Sequence, residues 1–230
     1  MSLKLCFARS EDAARIAEIY MMAFDGNAMV HAQFPTNTAL REFQQVIQAR
    51  TLVDIADVNT TILVVRGTTA TNERSNETND TPETILESET IMGAAKWSHP
   101  VEVQDENFKA PHTWSDECSS AALQDWRRVT EKAENEVVGQ VPHYELSFLV
   151  THPMHERKGA GSLMLQWGIE QCEKTGRPAY LESTVEATSF YEKFGFQAKA
   201  TLSFETLKTY KEIGFLYEPK GLSAASDAVR

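Results

Sequence analysis

Residues 149–167 read L-V-T-H-P-M-H-E-R-K-G-A-G-S-L-M-L-Q-W, and this stretch decides the fold. Polar and apolar residues alternate up to Thr151, which is typical of a half-buried strand. Pro153 stops this strand because proline has no N–H for the sheet ladder. After Gly159 the apolar residues recur with helical spacing, at Leu163, Met164 and Trp167. The sequence therefore predicts a strand, a basic turn containing glycine and a helix in direct succession.

The alternation also assigns the side chains of the strand to two faces. One face is expected to carry Tyr144, Leu146, Phe148 and Val150, and the other Glu145, Ser147, Leu149 and Thr151. A carboxylate on a half-buried strand is unusual unless it is paired or used in a reaction. Glu145 is therefore a candidate functional residue.

The turn before the helix has the features of an anion site. The first N–H groups of a helix have no partner within it, and the helix dipole makes that end positive. Gly159 and Gly161 allow a ligand to approach the backbone, and Arg157 and Lys158 add positive charge. The alternative is an ordinary strand-to-helix turn in which the glycines only relieve crowding.

A second strand and a second helix follow this unit. Residues 177–182 read R-P-A-Y-L-E, which predicts a short strand ending near Glu182. The next apolar residues fall at i, i+3, i+4 and i+7 of a helix, at Ala187, Phe190, Tyr191 and Phe194. Gly195 then stands where helices often end on a left-handed residue.

The motifs LVTHPMHERKGAGSLML, AYLEST and FYEKFGF, in this order, resemble the acetyl-CoA site of the GNAT superfamily of N-acetyltransferases. The likeness is close over residues 143–204 and elsewhere rests on compatible patterns. It implies an α/β fold with a mixed, centrally splayed sheet of about seven strands and helices on both faces. It also implies that acetyl-CoA binds between the fourth and fifth strands.

The resemblance assigns roles to the residues of the turn. The backbone of Leu149, Val150 and Thr151 would pair with the pantetheine arm of acetyl-CoA, and one of these N–H groups would polarise the thioester carbonyl. The pyrophosphate would be wrapped by Glu156, Arg157, Lys158, Gly159, Ala160, Gly161 and Ser162. Glu156 departs from the family, which usually has Gln or Arg there, so its side chain is in doubt as a ligand.

The resemblance also suggests an acid and a base. Tyr191 matches the tyrosine that the family often sets near the sulfur, where it would protonate the leaving thiolate; the alternative is core packing. Glu182 is the first candidate for the base and Glu145 the second, and either could instead make a structural hydrogen bond. His152 and His155 lack a third ligand in the turn, so no metal is expected.

The spacing from Glu182 to Tyr191, with Thr184 where many members have Asn, resembles puromycin-type small-molecule acetyltransferases. This favours a small amine as the acceptor. In the family the loop after the first helix helps to wall the acceptor pocket, which makes Phe24, His31 and Phe34 candidates for the substrate side. The alternative interpretation is that His31 is simply exposed and that Phe24 and Phe34 are packing residues.

The chain is expected to form a single domain over residues 1–218. Residues 68–83 are polar and lack large apolar side chains, which predicts a disordered insertion over residues 68–89. Residues 98–142 are interpreted as an inserted loop plus a helix, and residues 219–230 as a flexible tail. The helix would pack on the domain or cover the acceptor cleft.

Composition narrows the class of partner. A net charge of −11 argues against a nucleic-acid partner and is compatible with a cationic acceptor.

No apolar run approaches the roughly 20 residues that span a bilayer, and the N-terminus does not read as a signal peptide. Three scattered cysteines suggest neither disulfides nor a metal motif, which predicts a cytoplasmic setting. The oligomeric state stays open.

The sequence thus predicts an acetyl-CoA-dependent N-acetyltransferase that acts directly on a primary amine, carried on a small molecule. Two alternatives remain at this point. One is a non-catalytic CoA-binding or regulatory module with the same fold, because a fold does not fix a function. The other is an enzyme whose acceptor is a protein lysine or N-terminus.

Overall fold

A computed structural model describes residues 2–70, 87–101 and 112–220. Its centre is one seven-stranded sheet with the strand order β1-β2-β3-β4-β5-β7-β6. The strands are β1 (Leu3–Phe7), β2 (Thr60–Ala70), β3 (Glu87–Ser98), β4 (Tyr144–Thr151), β5 (Ala179–Thr184), β6 (Gln197–Ser203) and β7 (Lys211–Tyr217). The helices are α1 (Ala13–Ala23), α2 (Ala28–Gln33), α3 (Asn37–Ala56), α4 (Ser120–Val137), α5 (Ala160–Thr175) and α6 (Thr188–Lys193). The predicted α/β fold class is confirmed.

The sheet opens between β4 and β5, which among the described strands are the one pair of parallel neighbours. These strands pair at Tyr144↔Ala179, Glu145↔Tyr180 and Leu146↔Leu181, although β4 continues to Thr151 and β5 to Thr184. All other neighbouring strands are antiparallel. Beyond Leu146 the edge of β4 that faces β5 therefore has backbone groups that β5 does not use. This opening is the splay that the sequence resemblance implied.

Helices cover both faces of the sheet. The larger core joins α5 to the sheet, and Trp97 lies fully buried within it. Here α5 approaches the sheet so closely that a Cβ added to Gly168 would overlap the Trp97 indole. The second core, on the opposite face, joins α1 to the sheet through Ile16 and Ile19. Both layers therefore bury a full apolar face, which is the main source of stability for such a domain.

A bulge in β4 reverses its two faces. Lys96 pairs with Phe148 whereas Trp97 pairs with Leu146, so Ser147 has no partner on β3. As a result Leu146 packs in the α5 core, but Val150 packs in the α1 core on the other face. The predicted single alternation from Tyr144 to Thr151 is therefore wrong beyond Leu146. Glu145 lies on the face opposite Leu149, which packs towards α5.

The helix α4 packs on the body of the domain. Ala133 joins Met29 of α2 and Leu202 of β6 in a small apolar cluster. Asp125 accepts hydrogen bonds from the backbone N–H and the hydroxyl of Thr206, both at 2.8 Å. These contacts fix α4 over the sheet on the same face as α1. The helix predicted within residues 98–142 is therefore part of the domain.

Several predicted boundaries differ in the structure. β2 and β3 reach into both ends of the segment 68–89, so those ends are strand rather than disordered, and residues 71–86 lie outside the described ranges. Also outside the described ranges are residues 102–111 of the insertion and residues 221–230 of the tail. The segment after α1, which has no clear period, folds as α2 because the Asn27 side chain caps it. None of the described helices is both long and apolar enough to cross a membrane.

Candidate active site

The turn between β4 and α5 presents unpaired backbone donors. Gly159, with a φ of +96°, is the N-cap of α5, and Arg157 adopts a φ of 57°. The N–H of Leu163 makes the first helical bond, to the Gly159 carbonyl at 3.1 Å. The N–H groups of the first helical residues before Leu163 therefore have no partner within the helix. Left-handed geometry at a non-glycine residue is typical of functional turns.

Positive charge surrounds this turn. The pKa of His155 is lowered by partial burial and by the nearby Lys158, His152 and Arg15. The Lys158 ammonium donates to the Met154 carbonyl at 2.8 Å, so its side chain folds back over the turn. Arg15 comes from α1, and no local sequence signal could have placed it here. A phosphate would find both N–H donors and cationic side chains at this point.

The start of α5 lies directly against the end of β4. A Cβ added to Gly161 would come within 3.3 Å of the Leu149 side chain and 3.5 Å of Phe190. The structure thus brings the turn, Leu149 and Thr151 together, as the resemblance implied. Val150 is buried in the α1 core, so it offers only its backbone. Glu156 and Arg157 are exposed at the rim of the turn.

Glu182 lies on β5 one residue beyond the last β4–β5 pair, at the start of the opening. Burial raises its pKa to about 8, and the nearby carboxylates of Glu212, Glu145 and Glu134 act in the same direction. The Tyr180 hydroxyl donates to Glu182 Oε1 at 3.0 Å and opposes this rise. A carboxyl that titrates near neutral pH is suited to act as a general base.

Glu212 on β7 is a further functional candidate that the sequence analysis missed. Its side chain is 9% exposed, and burial raises its pKa. It accepts a hydrogen bond from the Tyr210 hydroxyl at 2.8 Å, and Asn27 donates to Tyr210 at 2.9 Å. The signal was present, because residues 211–217 read K-E-I-G-F-L-Y and place an acid on a half-buried strand.

Tyr191 lies on the other face of β5. It is 7% exposed and packs against Phe196 and Phe215, so it is a core residue, and its role as the acid stays a prediction. Its hydroxyl hydrogen-bonds to Ser183, while burial raises its pKa to about 12. Neighbouring residues on a strand point to opposite faces, so Tyr191 at Ser183 and the adjacent Glu182 flank β5 from opposite sides. The opening between β4 and β5 connects the two faces.

A cavity of about 180 Å³ lies between α4 and the sheet. Its floor is formed by Glu145, Tyr180 and Glu182. Its roof consists of side chains of α4: Trp126, Arg127, Thr130, Glu131 and Glu134. The two carboxylates proposed from sequence as bases therefore line one chamber, and α4 forms its opposite wall.

The substrate-side candidates have different surroundings. Phe24 is half-buried and packs on Tyr20 at 4.7 Å, and the pKa of Tyr20 is raised by burial and by Glu212. Phe34 is 1% exposed and stacks on another ring of the core, so it is a packing residue in this structure. His31 is exposed, with its Nε2 at 2.5 Å from the Asp25 carbonyl.

Within the described ranges, no three His, Cys, Asp or Glu side chains form a group that could hold a metal ion.

Comparison with known families identifies the central segment. Residues 91–196 match the model of the acetyltransferase (GNAT) family. This range begins in β3 and includes the glycine turn, Glu182 and Tyr191. A probable acyltransferase SID5 from Ajellomyces capsulatus is 43% identical over 42 residues, which are 18% of this chain and 31% of that protein. The chain thus aligns with less than a third of the length of this curated relative.

Solved structures share the fold at low sequence identity. The histone acetyltransferase HPA2 and related acetyltransferase from Corynebacterium glutamicum is 18% identical with a TM-score of 0.60, covering 95% of this chain and 97% of its own. A mosquito arylalkylamine N-acetyltransferase like 5b is 14% identical with a TM-score of 0.59, covering 94% and 100%. The PaiA N-acetyltransferase from Thermoplasma acidophilum is 12% identical with a TM-score of 0.53, covering 95% and 99%.

These matches agree with the motifs and with the opened sheet. The resemblance seen in the sequence is confirmed: residues 91–196 match the GNAT family model, and the chain shares its fold with GNAT acetyltransferases of known structure.

Proposed function

We propose that this protein is an acetyl-CoA-dependent N-acetyltransferase that acetylates a primary amine on a small molecule. The observation that carries the proposal is the opening between β4 and β5. The glycine turn lies at its outer end, and Glu182 and Tyr191 flank it from opposite faces. Support also comes from the Thermoplasma neighbour, which was solved in complex with coenzyme A.

The donor would be held by backbone groups. β4 continues to Thr151 without pairing to β5 beyond Leu146, so an extended pantetheine arm can add to it like a strand. The N–H groups at the start of α5 would bind the pyrophosphate. Glu156 is exposed, so its carboxylate can turn to solvent without disturbing those backbone donors.

The residues around the opening supply the proton transfers. Glu182 removes a proton from the acceptor ammonium, and the freed amine nitrogen attacks the thioester carbonyl carbon. A backbone N–H of β4 stabilises the oxyanion of the tetrahedral intermediate. The attacking nitrogen then loses its second proton to solvent as the carbon–sulfur bond breaks, and Tyr191 gives its proton to the thiolate. The products are an amide and the free thiol of CoA, and both side chains exchange protons with solvent to reset.

The chamber below α4 favours a small acceptor. Its volume is about 180 Å³, and α4 is fixed over it through Asp125 and the cluster at Ala133. A protein lysine would need a groove that accepts its backbone, whereas a small amine fits below a roof. The mosquito neighbour, an arylalkylamine N-acetyltransferase like protein, also carries the name of a small-amine enzyme.

Thermal unfolding with and without acetyl-CoA tests the donor site. A ligand at ~100 times its dissociation constant stabilises the folded state by about 2.7 kcal/mol. At about 2–4 °C per kcal/mol for a domain of this size, this corresponds to a shift of roughly 5–11 °C. Absence of any shift at saturating acetyl-CoA would contradict the proposal at its first step.

Release of the CoA thiol, measured with a panel of small primary amines and with a lysine peptide, tests the acceptor. We expect release with small amines and little with the peptide. Stabilisation by acetyl-CoA without transfer to any acceptor would support a CoA-binding module instead. Preferential transfer to the peptide would replace the small-molecule assignment with a protein acceptor.

A further inference from the structure

Glu212 and Glu182 lie side by side on one face of the sheet. β5 and β7 are antiparallel neighbours, with Glu182 opposite Gly214 and Thr184 opposite Glu212. Residues two apart on a strand share a face, and so do directly opposed residues. A Cβ added to Gly214 would come within 3.1 Å of the Tyr180 hydroxyl, the group that donates to Glu182. The two glutamates are therefore diagonal neighbours whose side chains start about 7 Å apart.

A chain of hydrogen bonds with a fixed direction ends on Glu212. The Oδ1 of Asn27 caps α2 by accepting two backbone N–H groups, so its Nδ2 is the atom that donates to the Tyr210 oxygen, at 2.9 Å. Because the Tyr210 oxygen accepts this bond, its own proton is available to Glu212 Oε1, at 2.8 Å. The Trp126 indole supplies Glu212 with a second hydrogen bond. Donors of this kind stabilise the charged form of a carboxyl group.

This position is nevertheless unfavourable for an anion. Glu212 is only 9% exposed, and burial raises its pKa. Among the described residues, no ion pair involves Glu212 or Glu182. A glutamine oxygen can accept the bonds from Tyr210 and Trp126 without the cost of a buried charge. Hydrogen bonding alone therefore does not require a carboxylate here, whereas a functional site often does.

Other charged and titratable groups face the two carboxyls. Those around Glu182 come from β4, β5 and α4: Glu145, Tyr180, Arg127, Glu131 and Glu134. Those around Glu212 and its chain are Tyr20 of α1, Tyr210 and, near Tyr210, Glu186.

Among these acids Glu212 acts most strongly on Glu182. Burial raises the pKa of Glu182 most, and Glu212 comes ahead of Glu145 and Glu134 among the neighbouring carboxylates. Burial lowers the pKa of His143, but the contact with Glu134 at 3.3 Å and the charge of Glu145 outweigh it and raise that pKa. When His143 is protonated, its charge offsets theirs. The charge of Glu212 is instead sustained by neutral donors, so it acts on Glu182 in full.

We propose that Glu212 is a positioning residue for the acetyl transfer: its carboxylate, held in the charged form by Tyr210, Asn27 and Trp126, repels charge on Glu182 and so sets the pH range in which Glu182 accepts the proton of the acceptor. The inference rests on the proposed function, in which Glu182 is the base. Base strength increases with the affinity of the base for its proton. Glu212 thereby makes Glu182 a stronger base without touching the acceptor.

NMR titration of the glutamate carboxyl carbons tests this without any need for turnover. In protein carrying isotopically labelled glutamate, the Glu182 signal is the one that disappears in Glu182→Gln. A unit charge about 7 Å away predicts that the midpoint of Glu182 falls by about 0.5–1.5 pH units in Glu212→Gln. In Tyr210→Phe the midpoint should fall by less, because Glu212 keeps its carboxylate but loses one donor.

Glu170→Gln is the matched control, since it removes the same charge from an exposed position on α5. It should leave the midpoint of Glu182 in place. A midpoint that stays in place in Glu212→Gln, or that moves equally in Glu170→Gln, would overturn the inference whether or not the protein transfers acetyl groups.

The kinetic readout separates positioning from a purely structural role. In Glu212→Gln the ascending limb of kcat/KM with pH should move to lower pH by the same amount, and the plateau should fall because the base is weaker. A rate reduced at every pH, with the limb in place, would mean a structural role and contradict the inference. Stabilisation of Glu212→Gln by acetyl-CoA in thermal unfolding shows that the variant is folded. If Glu182 titrates as expected but no amine is acetylated, the control of Glu182 by Glu212 stands and the proposed enzymatic function is refuted.

Discussion

The hydrogen bond from Tyr180 to Glu182 gives the sharpest test of the catalytic base. Tyr180 is buried, and its hydroxyl donates to Glu182 Oε1 at 3.0 Å. This bond stabilises the carboxylate and so lowers its pKa, although burial and neighbouring acids keep the net value near 8. In Tyr180→Phe that stabilisation is lost, and the pKa of Glu182 must rise further.

The size of the shift follows from the energy of such a bond. A hydrogen bond to a charged group contributes about 1.5–3 kcal/mol, and 1.36 kcal/mol corresponds to one pKa unit. Because water partly replaces the hydroxyl at a half-buried carboxylate, we expect the lower end, a rise of about one unit. At pH 7 the fraction of Glu182 that is deprotonated then falls roughly tenfold.

The assay is kcat/KM for thiol release as a function of pH, in the wild type and in Tyr180→Phe. The ascending limb should move to higher pH by about one unit, while the rate on the plateau changes little. Tyr144→Phe is the matched control, because Tyr144 is also buried but lies in the core on the α5 side. An ascending limb that stays in place in Tyr180→Phe would show that Glu182 is not the titrating base.

Three further predictions address the acid, the linkage of Glu182 to stability and the packing of α5. Tyr191→Phe should lose most of the turnover and keep its thermal stabilisation by acetyl-CoA; unchanged turnover would remove Tyr191 from the mechanism. The folded-state pKa of Glu182 lies above its unfolded value, so its contribution to stability is lost as pH rises from about 4.5 to about 8. In urea unfolding, Glu182→Gln should therefore be more stable than the wild type at pH 8 but not at pH 4. An equal difference in unfolding free energy at both pH values would contradict the raised pKa of Glu182. Gly168→Ala should lower the free energy of unfolding by about 1–3 kcal/mol, because its Cβ overlaps Trp97, and a neutral effect in the same assay would show that α5 shifts freely.

The pairing of Tyr191 and Glu182 across β5 explains how one residue is both core and catalytic candidate. Tyr191 is held by Phe196 and Phe215, so its hydroxyl position is fixed at Ser183. A raised pKa keeps that hydroxyl protonated throughout the range in which Glu182 titrates. In the proposed mechanism the acid and the base are thus separated by a strand and would not exchange their proton directly.

The sequence by itself determined the local units of this protein. The period of two in residues 144–151, the glycines at 159 and 161, and the helical spacing around Tyr191 predicted the strand, turn and helices that the structure contains. These features depend on neighbours within about four residues, which side-chain alternation and helix geometry dictate. The acidic residues on half-buried strands were likewise visible, although Glu212 was overlooked.

Only the tertiary structure decided how these units meet. The bulge at Ser147 reversed the faces of β4, because its register is set by pairing with β3 and not by its own pattern. The chamber at Glu145 and Glu182 exists because α4 packs above both β4 and β5. Arg15 lies near enough to the turn to lower the pKa of His155, and Phe34 is buried in the core, for the same reason. Contacts between distant segments depend on the packing of whole layers, and no local period encodes them.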